Sequence, residues 1–96
     1  MAKYAELSLY YLAKHYYNTH SNGKSLIYIE KILNNSIDIK DEESLLLKGY
    51  IYYDKRDFVK ALKAFNDFIK KYPASEKLKT AREWKAMTER SIRYIG

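Results

Sequence analysis

Gly23-Lys24-Ser25 has the residue types that end a phosphate-binding loop, G-x-x-x-x-G-K-[ST], where backbone N–H groups and a lysine cradle a phosphate. Asn18 stands where the leading glycine would be, and no strand pattern precedes it, so no cradle is expected. His15 and His20 are the two histidines. Five residues apart across a helix-to-turn segment, they do not share a face, and no metal site is expected. The chain has no cysteine, which removes disulfides and thiolate ligands from consideration. Asp41-Glu42-Glu43 sets three carboxylates side by side at a helix start, where the positive end of the helix dipole accounts for them. Catalysis needs a base, a nucleophile and an orienting group converging in a cleft. No such set can be assembled, so the expectation is a non-enzymatic protein with no cofactor.

The chemistry that does suit this chain is recognition. Eleven tyrosines and a net charge of +6, with a pI near 9.4, offer aromatic faces and cations together. The second half carries Lys60, Lys63, Lys70, Lys71, Lys77, Lys79, Arg82, Lys85, Arg90 and Arg93, with Tyr72 and Trp84 among them. Cations hold phosphates and aromatic rings stack on bases, so a basic helical module that binds nucleic acid is an alternative reading. Asp67, Glu76, Glu83 and Glu89 are interspersed at helical-neighbour spacing, which matches a solvated face laced with ion pairs. The first reading is therefore a protein or peptide partner.

What positions these residues is helix. Ninety-six residues suit one domain, and three Gly with one Pro leave little punctuation for hairpins of strands. The run Leu45, Leu46, Leu47, Tyr50, Ile51, Tyr52, Tyr53 predicts a helix from about Asp41, capped by Asp41 or Ser36. Asp54-Lys55-Arg56-Asp57 breaks the pattern, and Asp57 is the expected N-cap of a helix running to about Tyr72. Pro73 ends it. Gly49 inside a helix costs about 1 kcal/mol relative to Ala. Close helix contact with Gly49 and Ala61 at the seam, and Tyr52, Phe58 and Phe65 beside it, gives that glycine a reason.

A shift of 36 residues brings Ala13 onto Gly49, Tyr16 onto Tyr52, Tyr17 onto Tyr53, Ser25 onto Ala61, Ile29 onto Phe65 and Ile32 onto Phe68. Glu6 falls on Glu42, and Ile37 falls where Pro73 would repeat. Residues of about 3–36 therefore read as a first copy of the unit at about 41–73, with a looser turn from Asn18 to Gly23. A last helix at about 75–95 follows, apolar at Leu78, Ala81, Trp84, Met87, Ile92 and Ile95.

Gly49, Tyr52, Phe58, Ala61, Phe65 and Pro73 fall where a tetratricopeptide repeat places its small, aromatic and terminating residues, and the chain resembles that family. The ending Phe65, Phe68, Tyr72, Pro73, Ser75 is similar to repeats of bacterial envelope proteins, the outer-membrane-assembly lipoprotein and the Tol-associated cell-division coordinator. Lys48 departs from the family, which usually has an apolar residue there. The resemblance implies an all-α fold of two antiparallel helix hairpins in a right-handed superhelical stack, closed by a C-terminal capping helix. It also implies a concave groove lined by the first helix of each hairpin: Leu7, Tyr10, Tyr11, Lys14 and Tyr17 from one, Glu43, Leu46, Leu47, Tyr50 and Tyr53 from the other. With Lys14 the one cation among them, that lining suits an apolar or helical segment better than a terminal carboxylate.

The first helix carries Tyr4, Leu7, Leu9, Tyr10, Tyr11, Leu12, Tyr16 and Tyr17 in nearly every direction, and a helix apolar all round is normally covered. Two repeats are also fewer than the three or so that such stacks need. The expectation is a homo-oligomer or a fragment of a longer array. No membrane span is expected, since no apolar run nears about 18 residues. Met1-Ala2-Lys3 leads into no signal peptide, so the chain as it stands reads as cytoplasmic, or periplasmic if a leader was removed.

Overall fold

A computed structural model describes residues 2–35 and 40–95, and side chains over 5–35 and 40–94. Five α-helices make up the described chain: α1 (Ala2–Asn18), α2 (Asn22–Leu33), α3 (Asp41–Asp54), α4 (Phe58–Lys71) and α5 (Leu78–Ile95). There is no strand among the described residues. The expected cap Ser36 and the Ile37 counterpart of Pro73 lie outside them. Contacts gather into two compact units, residues 1–44 and 45–96.

The helix ends follow local chemistry. Asp41, Glu42 and Glu43 form the first turn of α3, and the Ser44 N–H bonds the Lys40 carbonyl at 2.9 Å. Asp41, an expected cap, is instead the first residue of the helix. Asp57 is the N-cap of α4, its carboxylate accepting from the Lys60 N–H at 3.3 Å. At the far end the Tyr72 N–H bonds the Phe68 carbonyl, and Pro73 follows. The last helix begins at Leu78, later than expected, because Ser75 first closes a turn. Its hydroxyl accepts from the Lys77 N–H at 3.0 Å and its carbonyl from the Leu78 N–H at 3.1 Å.

The 36-residue shift recurs in the backbone. After α1, His20 takes φ 63°, and after α3, Arg56 takes φ 62°. The Ser21 N–H bonds the Tyr16 carbonyl and the His20 N–H bonds the Tyr17 carbonyl. Thirty-six residues on, the Asp57 N–H bonds the Tyr52 carbonyl and the Arg56 N–H bonds the Tyr53 carbonyl. Both corners are Schellman motifs, in which a left-handed residue lets the chain satisfy the last helix carbonyls. Each uses a non-glycine residue where glycine is usual.

Packing within each unit starts from small residues. In residues 1–44, Ala13 and Ser25 are both fully buried, and the Ser25 hydroxyl donates to the Ala13 carbonyl at 2.7 Å across α1 and α2. Ile29 and Ile32 of α2 are fully buried as well. In residues 45–96, the Phe65 ring lies directly on Gly49. A Cβ at Gly49 would come within 2.7 Å of Phe65 Cζ and 2.8 Å of Cδ1. Ile51, Ala61, Phe65, Phe68 and Ala81 have no exposed surface and form the centre of that unit.

Candidate functional site

Among the described residues of α1, two are buried, Glu6 and Ala13. Glu6 accepts from the Asn35 amide at 2.9 Å, a bond that holds the end of α2 to the start of α1. The large side chains of α1 are left half-covered or open. Leu7, Leu9, Tyr10, Tyr16 and Tyr17 are half-buried, Leu12 is exposed, and Tyr11 is 66% exposed. Lys14 is exposed too. Leu7, Tyr10, Tyr11 and Lys14 follow the i, i+3, i+4, i+7 spacing of one helix stripe, with Tyr17 a turn beyond.

The middle of this stripe is held by Lys40, the residue just before α3. The Lys40 amine sits 5.0 Å above the Tyr10 ring and bonds the Glu43 carboxylate at 3.0 Å. Tyr10 and Tyr11 lie 6.3 Å apart, tilted by 55°. Tyr10, Tyr11 and Glu43 are thus gathered around Lys40, a residue absent from the expected lining. Lys40 carried a signal of its own, since it lies three residues before Glu43, a helical ion-pair spacing. Glu43 raises the Lys40 pKa above its ordinary value, chiefly through that hydrogen bond. The Tyr10 phenol is also pushed up, first by burial and then by the negative charge of Glu43.

Beyond Tyr11 the helix carries a second aromatic pair. Tyr16 stacks on Tyr28 of α2 at 5.7 Å and 5°, with Lys24 5.5 Å from the Tyr16 ring and Lys31 5.6 Å from the Tyr28 ring. Lys24 and Ser25, the end of the apparent phosphate loop, are therefore occupied with a ring face and the Ala13 carbonyl, and Gly23 lies within α2.

In residues 45–96 the expected lining behaves differently. Leu46 and Leu47 are buried at 4% exposure each. Tyr50 and Tyr53 are half-buried against Trp84 of α5, with ring centroids 4.7 and 5.2 Å away. The Tyr53 hydroxyl lies 3.4 Å from the Ser91 hydroxyl, and its ring meets Phe58 edge-on at 5.1 Å. Trp84 was legible as an apolar position of the last helix; its seat on these two tyrosines was not. A separate cleft of about 280 Å³ lies between α3 and α4, with Leu45, Tyr52 and Ala64 inside and Lys48, Lys60, Lys63 and Asp67 around it.

Compared with known protein families, with curated proteins and with solved structures, the chain matches none. No helix among the described residues is long and apolar enough to cross a membrane.

Proposed function

We propose that this protein is a helical-repeat interaction module of the tetratricopeptide kind, which binds an apolar or helical segment of a partner protein and self-associates through α1. The same proposal takes α1–α2 and α3–α4 as two antiparallel hairpins in a right-handed superhelical stack, with α5 as the cap. Support for the repeat comes from the two Schellman corners 36 residues apart and from the small residues Ala13 and Gly49 at matching positions.

The observation that carries the functional reading is the uncovered tyrosine of α1. Leu7, Tyr10, Tyr11 and Tyr17 keep exposed area, and Tyr11 keeps most of its own. Tyrosine loses little rotamer entropy on contact and keeps a hydroxyl for water or a partner, so such a stripe is a good anchor. Lys14 adds a point charge at its edge. Glu43, Tyr50 and Tyr53 form the second half of the proposed lining, with Tyr50 and Tyr53 braced by Trp84, while Leu46 and Leu47 are buried and support it.

Sedimentation velocity from low to high micromolar concentration tests the self-association. The native chain shifts to a dimer or larger species, and Tyr11→Glu stays monomeric. A native chain that remains monomeric throughout overturns that half of the proposal. For the partner half, an amphipathic helical peptide is titrated while Trp84 emission is read, since the single Trp touches Tyr50 and Tyr53. Saturable change, weakened by Tyr50→Ala, is expected. Identical titrations of native and variant chains overturn the assignment of Tyr50.

A further inference from the structure

The charge of this chain is lopsided. Residues 1–44 carry five Lys/Arg against six Asp/Glu, whereas residues 45–96 carry thirteen against six. Three of the four arginines, Arg82, Arg90 and Arg93, are on α5. At about 100° per residue, Lys79, Arg82, Arg90 and Arg93 fall within an arc of roughly 80°, opposite the buried Ala81 and Thr88. All four are exposed, and exposed Ala86 lies in the middle of the arc without obstructing it. Among the described residues none of the four is in an ion pair, although Glu83 and Glu89 are on the same helix. Beside Arg90 and Arg93 stands Tyr94, 91% exposed.

We propose that the outer face of α5 is a docking strip for single-stranded nucleic acid, with the four cations on phosphates and Tyr94 stacked on a base. The strip extends for about 21 Å at 1.5 Å per residue, long enough to follow several nucleotides of a strand. The arginine fork grips phosphate oxygens in pairs, which an ammonium does not, so concentrating Arg here favours a phosphate polyanion. An open ring next to cations is the arrangement that holds unpaired bases, and a duplex presents no free base face to it. A bilayer fits poorly, because the face has no Leu, Ile or Phe to enter the headgroup boundary. This strip stands apart from the α1 reading, and either can fail without the other.

The test is fluorescence polarisation of a labelled single-stranded oligothymidylate against salt concentration. Affinity should fall steeply as salt rises. The triple variant Arg82→Gln, Arg90→Gln, Arg93→Gln should flatten the slope of log K against log salt by about 2, at roughly 0.7 per phosphate lost. Tyr94→Ala should weaken binding about tenfold and leave that slope unchanged. Lys24→Gln with Lys31→Gln, on α2, should alter neither quantity. All these side chains are exposed or on a helix surface, and circular dichroism of each variant checks that the helices persist. The proposal is overturned by absent binding at low salt, by an unchanged slope in the triple variant, or by equal affinity for a duplex, polyglutamate or anionic phosphatidylserine vesicles.

Discussion

Two residues, His20 and Arg56, hold the left-handed backbone that non-glycine side chains disfavour by about 1–2 kcal/mol. Arg56→Gly should therefore raise the unfolding free energy by about 1 kcal/mol, seen as a later urea midpoint with unchanged slope. His20→Gly should do the same for the first corner. Gly49 points the other way. Gly49→Ala would gain about 1 kcal/mol of helix propensity but drive a methyl into the Phe65 ring, which is fully buried. The net expectation is a loss of about 1–2 kcal/mol in the same urea experiment, because overpacking a filled site costs about 1–3 kcal/mol. The need for close packing at Gly49 was legible, since a helix-interior glycine requires a reason. That Phe65 itself covers it was not, because the spacing placed Ala61 at the seam and Phe65 beside it. The left-handed corners left no mark either, as neither His nor Arg signals positive φ.

At the scale of the helix, Tyr10 of α1 is tied to Lys40 and Glu43 within residues 1–44, and this contact has a pH signature. Both Tyr10 and Lys40 have folded pKa values raised above the unfolded ones of 10.0 and 10.5. A folded state that keeps its protons longer is stable below about pH 10 and loses that contribution as pH rises through the folded values. Stability of the native chain should thus be flat from neutral pH to about 10 and fall beyond it. Tyr10→Phe should fall less steeply over the same window, measured as urea midpoints at each pH. A parallel decline in native and variant chains would remove Tyr10 from this account. Helix periodicity made the five helices legible to within a few residues, but the meeting of Tyr10 with Lys40 left no such mark. The same holds for Glu6. Its repeat counterpart Glu42 is half-buried at a helix start, whereas Glu6 is covered and bonded to Asn35, a contact between distant residues that spacing cannot disclose.

For the molecule as a whole, uneven charge would separate the two proposed kinds of association. A contact made by tyrosine and leucine of α1 draws on apolar burial, which salt does not screen. A contact made by the cations of α5 releases counterions and weakens with salt. Raising salt from about 50 to 200 mM should leave the sedimentation-derived dimer constant about unchanged and lower oligonucleotide affinity by at least tenfold. Salt therefore tells the two surfaces apart without any mutation. The imbalance could be counted in the sequence. Its openness could not, because Glu83 and Glu89 stood at distances where ion pairs with the α5 cations were to be expected.

The corner between Tyr53 and Asp57 also governs which sequence changes the chain can tolerate. It closes with no spare residue, the Asp57 amide reaching straight back to Tyr52. One inserted residue would break that closure and disturb the register that seats the Phe65 ring on its glycine. Identity at position 56 is thus negotiable, and glycine would even suit it better, but the spacing between the two helices is not.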